Sequence, residues 1–107
     1  MANNYKNAKV DLTSTDITAL YTAPSSTTTI VKSILVSEDS GNADTITLTL
    51  TNSASAVFSL FKTKAVSANA TVELLTGPLV VEESEILKVT AATANRLHVT
   101  ASLLEIS

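Results

Sequence analysis

Polar and apolar residues alternate along short runs of this chain, with the period of a β-strand that buries one face. The alternation is strictest over residues 45–51, where Ile46, Leu48 and Leu50 share one face and threonines occupy the other. Residues 96–103 alternate in the same way. Both segments are therefore predicted to be half-buried strands.

Further runs bring the number of predicted strands to about nine. Residues 29–36 are apolar on both registers, which is typical of a central strand covered on both faces or joined to a subunit contact. The shorter runs lie at residues 8–12, 17–22, 57–62, 71–75, 79–82 and 86–90. Turn-forming residues separate them at the intervals of a sandwich or barrel. Because the chain has only 2 glycines, Asn, Asp and Ser must supply most of the unusual backbone angles in these turns.

The segment around Phe58 fits two periods. Ala54, Val57, Phe58, Phe61 and Ala65 have the spacing of one helical face. Their β-branched neighbours favour a strand. We predict a strand there and keep a short helix as the alternative.

These patterns predict an all-β fold. A chain of 107 residues has the size of one domain, so we expect a single antiparallel β-sandwich over residues 1–107. It should be jelly-roll-like, with about eight to nine strands. Residues 1–7 are expected to form a mobile N-terminal arm.

Composition and charge exclude several classes of function. The net charge is −3 and the basic residues are scattered, so a nucleic acid partner is not expected. A polar N-terminus and the lack of a long apolar run argue against a signal peptide and a membrane partner. We therefore expect synthesis in a cytoplasm. The chain has no cysteine, which excludes disulfides and thiolate metal sites.

The sequence offers little catalytic chemistry. The one histidine, His98, is out of register with the inward Leu97 and Val99 and is expected at the surface. No glycine-rich phosphate loop is present. We therefore predict no enzymatic activity, no catalytic residue and no cofactor.

Two acidic groups are candidate binding sites. Residues 38–44 place three carboxylates and an asparagine around Gly41, which are oxygen ligands of the kind that calcium prefers. The spacing is not that of an EF-hand, so a solvated hairpin is the preferred interpretation, calcium the alternative, and no metal site is predicted. Residues 82–85 carry three more carboxylates, but alternation directs neighbours to opposite faces.

The chain end predicts a contact with another molecule. Alternation cannot bury both Leu103 and Leu104 on one face, and charged residues are only 16% of the chain. A second copy or a larger assembly would cover the remaining apolar surface. The residues predicted to lie in the core or in this contact are Val31, Leu35, Phe58, Phe61, Leu103 and Leu104.

The order of segments resembles that of small β-sandwich virion proteins from tailed bacteriophages, including cyanobacterial phages. The resemblance rests on residues 20–24 (LYTAP) and 29–36 (TIVKSILV), then on 68–75 (ANATVELL), 77–81 (GPLVV) and 97–105 (LHVTASLLE). The chain departs from the group's pattern at Ser84-Glu85, where the group often has Gly-Asp.

This resemblance implies a non-enzymatic structural protein present in many copies, as a head-decoration, neck or tail component. Its partners would be further copies of itself and other virion proteins, and it would assemble in the cytoplasm of a host bacterium. The alternative is a receptor- or carbohydrate-binding sandwich that uses residues 38–44 and 82–85. The low aromatic content, 4%, argues against that alternative.

Overall fold

The computed structural model describes residues 3–107, which form nine β-strands joined by turns. The strands are β1 (Asn3–Asp11), β2 (Thr18–Thr22), β3 (Thr28–Glu38), β4 (Asp44–Thr51), β5 (Val57–Val66), β6 (Thr71–Glu73), β7 (Leu79–Val81), β8 (Ile86–Ala91) and β9 (Leu97–Ile106). Residues 3–107 contain no helix. The helical alternative around Phe58 is therefore wrong, because that segment lies in β5 and pairs with β4.

The strands form two antiparallel sheets. Sheet 1 has the order β1-β9-β3, with β6 and β7 both paired to the far side of β3, and sheet 2 has the order β2-β8-β4-β5. With β6 and β7 counted as one interrupted strand, this order is that of a jelly roll. The chain folds back on itself as one long hairpin, so that β4 meets β5, β3 meets β6 and β7, β2 meets β8, and β1 meets β9. Curling of that hairpin then joins β9 to β3 and β8 to β4. The predicted all-β sandwich is confirmed.

The core lies between the two sheets and follows the alternation of the sequence. In β9 every second residue from Leu97 to Glu105 is buried. In β4 the predicted inward residues Ile46 and Leu48 are fully buried, and Leu50 packs partly against the core. The other large buried apolar side chains include Leu12, Val31, Ile34, Val36, Val66, Val81, Leu87, Val89 and Leu103.

The N-terminal segment is part of sheet 1. Residues 3–7, predicted to belong to an arm, pair in register with β9 from Asn3 opposite Ile106 to Asn7 opposite Ser102. Residues 1 and 2 of the predicted arm lie outside the described residues. The described part of the arm is therefore an edge strand.

Serine and asparagine supply most of the positive backbone angles, as the shortage of glycine predicts. Positive φ angles occur at Gly41 and, among other residues, at Ser26, Ser55, Asn69, Ser84, Asn95 and Thr63. Thr63 differs from the others because it lies within β5, at a shift in register against β4. Its backbone N–H donates to Oγ1 of Thr47 over 3.1 Å.

Candidate functional site on the outer face of sheet 1

Four outward side chains form an apolar row across sheet 1. Tyr5 of β1 faces Leu104 of β9, which faces Ile30 of β3, which in turn faces Val80 of β7. Tyr5 is 75% exposed and Val80 is 52% exposed. The ammonium of Lys32 lies 5.7 Å from the centroid of the Tyr5 ring, within the range of a cation–π contact. We call Tyr5, Leu104, Ile30 and Val80 the apolar row.

A shallow groove adjoins the apolar row at the gap between β6 and β7, the two strands that pair with the far side of β3. β6 ends at Glu73 and β7 begins at Leu79, and residues 75–78 of the connecting segment line the groove. The groove has a volume of about 530 Å³. It is lined by Ile30, Lys32, Leu75, Thr76, Gly77, Pro78 and Leu104. The row and the groove together make a mainly apolar surface with one cationic side chain.

The Glu73 carboxylate accepts hydrogen bonds from backbone N–H groups at the gap between β6 and β7. It accepts hydrogen bonds from the N–H groups of Ile34 (2.8 Å) and Leu75 (3.2 Å) and from the hydroxyl of Ser33. Burial by itself would raise the pKa of Glu73, but these hydrogen bonds outweigh it and lower that pKa. The break between β6 and β7 is thus a stable feature with its polar groups paired.

A buried polar network lies directly behind the apolar row. Glu105, next to Leu104 in β9, points inward and is 7% exposed. Its carboxylate accepts a hydrogen bond from the hydroxyl of Tyr21 (2.5 Å) and forms an ion pair with the ammonium of Lys6 (3.2 Å). The Tyr21 oxygen also lies 2.7 Å from Oγ1 of Thr29. Since the tyrosine proton is directed to Glu105, the Thr29 hydroxyl is the donor in that second bond.

The network changes the acidity of both partners. Burial and then the hydrogen bond to Glu105 raise the pKa of Tyr21 to about 12. The hydrogen bond from Tyr21 and the contact with Lys6 lower the pKa of Glu105, against the effect of its burial. An anionic Glu105 paired with a neutral Tyr21 is therefore the stable state at neutral pH.

Two carboxylates of the loop at residues 38–44, those of Glu38 and Asp44, accept hydrogen bonds from backbone N–H groups of this loop and of neighbouring segments. Glu38 is 2% exposed, and it accepts hydrogen bonds from the N–H groups of Ser40 (2.8 Å), Gly41 (3.1 Å) and Asn69 (3.0 Å). Burial would raise the pKa of Glu38, but these bonds and one from the Ser40 hydroxyl lower it to about 2. Asp44 accepts in the same way from the N–H groups of Thr45 and Thr93. Within residues 3–107 no three side chains of His, Cys, Asp or Glu are placed to hold a metal ion.

The carboxylates at residues 82–85 are also directed to turns. Glu83 accepts from the backbone N–H of Ser26 over 2.5 Å, and Glu85 accepts from the N–H of Glu82 over 2.7 Å. This loop packs against the turn that connects β2 to β3, whereas residues 38–44 pack against the loops that follow β5 and β8. The two acidic groups therefore lie at opposite ends of the sandwich and do not form one site.

His98 lies on the outward side of β9, at the end of sheet 1 away from the apolar row. Its Nε2 is 3.2 Å from a carboxylate oxygen of Asp11, and its Nδ1 is 3.4 Å from one of Asp39. The outward direction agrees with the sequence, whereas the flanking aspartates depend on strand pairing that the sequence does not reveal. A shallow depression beside His98 is lined by Lys9, Val10, Asp11, Val99 and Thr100. This lining contains neither a hydroxyl paired with a base nor a second histidine, so the arrangement lacks the parts of a nucleophilic site.

The six predicted core or contact residues are distributed over both sheets. Val31 and Leu103 are buried between the sheets, and Phe61 packs partly against the same core. Leu35 faces outward from β3 at 41% exposure and Phe58 lies on the edge strand β5 at 52%.

Only Leu104 of the six belongs to the apolar row. Tyr5, Ile30 and Val80 were not singled out by sequence reasoning, because each belongs to a different strand and only the strand order brings them together.

Comparison with known proteins adds little to this description. No family model matches the chain, and no curated protein matches it. One solved structure, that of infectious bursal disease virus Gt strain, aligns with 98% of this chain at 8% identity and a TM-score of 0.41. The chain spans 30% of the length of that viral chain. A likeness this distant carries no argument about function.

No helix that is long and apolar enough to cross a membrane occurs in residues 3–107.

Proposed function

We propose that this chain is a non-enzymatic structural protein of a bacteriophage virion, present in many copies as a head-decoration, neck or tail component. Its partners are further copies of itself and other proteins of the particle. It is made in the cytoplasm of the host bacterium and resides in the virion.

Two kinds of observation support the proposal. The segment order resembles small virion proteins of tailed phages, and the strand order is a jelly roll, a fold that many viral capsid domains use. Lectins and cupins share that fold, so the fold by itself does not determine function. The observation that carries the proposal is the apolar row, which leaves large side chains of sheet 1 in solvent.

The function of such a surface is cohesion. Exposed apolar side chains gain free energy when a partner removes them from water, at about 25 cal/mol per Å². A specific contact of standard size buries about 1,600 Å². Repeated by symmetry around a particle, such a contact holds an assembly together without any reactive residue.

A substitution at Leu104 tests whether the apolar row is the contact surface. This side chain is outward and half-buried in the centre of the apolar row, so Leu104→Lys should preserve the fold and place an unpaired charge in the contact. The matched control is Thr100→Lys, which adds the same charge on the same face of the same strand, outside the row. We expect Leu104→Lys to fail to incorporate into particles and Thr100→Lys to incorporate like the parent.

Two results would contradict the proposal. Proteomics and imaging of purified virions that find no copy of this chain would exclude a virion role. Equal incorporation of the two lysine variants would exclude the apolar row as the contact surface.

A further inference from the structure

The four edges of the two sheets differ in how well they are protected against pairing with another strand. An exposed edge strand offers unpaired N–H and C=O groups, which natural proteins block with short strands, bulges, proline or charge. In sheet 2, β2 has 5 residues and a bulge, and β5 has two shifts in register and the positive φ of Thr63. In sheet 1, β6 and β7 have 3 residues each and are separated by a segment that contains Pro78.

The remaining edge, β1, is neither short, bulged nor interrupted by proline, and its only protection is the charge of Lys6, Lys9 and Asp11. It has 9 residues and pairs with β9 without a shift in register, from Asn3 opposite Ile106 to Asp11 opposite His98. It contains neither proline nor glycine. Among the strands that residues 3–107 form, its outer side faces no other strand. Within the described fold, β1 is therefore the longest regular edge that can accept another strand.

Its charges have a pattern that restricts how two copies can pair. Consider two identical strands that pair antiparallel about a two-fold axis perpendicular to the sheet. Because side chains alternate between the two faces of a sheet, each residue then lies opposite a residue of the other copy whose side chain points to the same face. Lys6 points inward toward Glu105 and Lys9 points outward. Lys6 and Lys9 therefore cannot face each other, and only an axis at Lys6 or at Lys9 would place two lysines opposite each other.

An axis at Asn7 avoids both of those arrangements and pairs all 9 residues of β1. Asn3 then faces Asp11, Asn4 faces Val10, and Asn7 faces its own copy. The exposed ring of Tyr5 faces Lys9, which is a cation–π pair across the strands. Lys6 faces Ala8, while its ammonium stays with Glu105 at 3.2 Å. An axis at Ala8 leaves Asn3 and Asn4 without partners and is less complete.

We infer that β1 is a self-association edge, which pairs antiparallel with β1 of a second copy about a two-fold axis at Asn7. The pairing extends sheet 1 into one continuous sheet through two molecules. This inference goes beyond the proposed virion role and does not depend on it. The pairing is made by the backbone of β1, whereas the virion proposal rests on the apolar row.

The experiment places a charge at the axis and at a matched position one strand away. Asn7→Lys sets two lysines opposite each other in the dimer, whereas Ser102→Lys adds the same charge on the same face of β9, directly beside Asn7. We expect Asn7→Lys to weaken dimerisation by about tenfold, since like charges directly opposite each other on neighbouring strands are destabilising. Light scattering coupled to size exclusion, over a range of concentrations, measures the change. Circular dichroism shows that each variant is folded.

Crosslinking gives a second measurement of the same geometry, because the parent has no cysteine. In the proposed dimer the Cβ atoms of an Asn7→Cys pair are about 5 Å apart. A Ser102→Cys pair is three strand spacings apart, about 14 Å. A bis-maleimide reagent shorter than this second separation should crosslink the Asn7→Cys dimer and should not span the Ser102→Cys pair.

The two proposals fail separately. A parent protein that stays monomeric, or equal dimerisation of the two lysine variants together with equal crosslinking of the two cysteine variants, would overturn the β1 edge. Leu104→Lys should leave this dimer intact even where it prevents incorporation into particles. A dimer that Leu104→Lys abolishes and Asn7→Lys leaves intact would assign self-association to the apolar row and overturn the β1 edge.

Discussion

At the scale of single residues, the most consequential feature is the ionised Glu105 inside one end of the sandwich. A buried charge is tolerated only when it is paired and hydrogen-bonded. Here Tyr21 and Lys6 are the partners of Glu105, and Thr29 in turn donates to the Tyr21 oxygen. The three residues come from different strands. The network thus ties β1, β2, β3 and β9 together at the end of the core behind the apolar row.

Tyr21 gives this network a measurable dependence on pH. Its pKa is raised from 10.0 to about 12, so its contribution to stability is fully present below pH 10 and is lost as the pH rises toward 12. The chain has 2 tyrosines, and in a Tyr5→Phe variant the tyrosinate absorbance reports Tyr21 alone. We expect a titration midpoint near pH 12. A midpoint near the ordinary value of 10 would show that the hydroxyl is not held by Glu105.

Removal of the hydroxyl tests the same network through stability. Tyr21→Phe leaves Glu105 short of a hydrogen bond, and we expect the free energy of unfolding at neutral pH to fall by about 1 to 3 kcal/mol. Chemical denaturation measures the loss, with Tyr5→Phe as the exposed control.

At the scale of elements, β4 shows how alternation becomes packing. Leu48 is fully buried between the sheets, while Thr47 faces outward, where its hydroxyl accepts the N–H of Thr63. β4 is also an interior strand of sheet 2, paired with β5 on one side and β8 on the other. Its inward Ile46 and Leu48 are therefore closed off from solvent.

The register of β4 is tested by a charge on each face. Leu48→Asp places an unpaired carboxylate in the core, at a cost of several kcal/mol out of the roughly 5 to 15 kcal/mol that stabilise a domain. We expect that variant not to fold. Thr47→Asp keeps an acceptor for the Thr63 N–H on the outer face, and it should melt close to the parent. Equal melting temperatures in thermal denaturation would contradict the register.

At the scale of the whole molecule, β9, the last strand of the chain, pairs with β1 and β3, which lie within its first 38 residues. It lies between β1 and β3 and contributes five buried side chains, Leu97, Val99, Ala101, Leu103 and Glu105. The end of β9 also positions Leu104 in the apolar row. The C-terminal residues are therefore part of the core as well as of the proposed contact surface.

Truncation after Ser102 should consequently unfold the protein and not only weaken its association. The deletion removes Leu103, for which even truncation to alanine would cost about 2 to 5 kcal/mol, and it also removes the carboxylate partner of Tyr21 and Lys6. Deletion of Ser107 alone, which follows β9 and is exposed, is the control. We expect a cooperative melt for the control and none for the truncation after Ser102. A cooperative melt for both would show that the fold does not need the end of β9.

The sequence by itself determined the strands other than the first half of β1, the buried faces of β4 and β9, and the residue types of the turns. These properties are local. Alternation shows which side chains of β4 and β9 point inward, and turns that lack glycine have Ser26, Asn69 and Asn95 at positive φ. The strand order was decided only by the tertiary structure, because β1 and β9 lie at opposite ends of the chain and many pairings satisfy the same alternation. The apolar row, the partners of Glu105 and the long regular edge at β1 all depend on that order. The local pattern shows that Leu104 and Tyr5 face outward, but only the fold makes them neighbours.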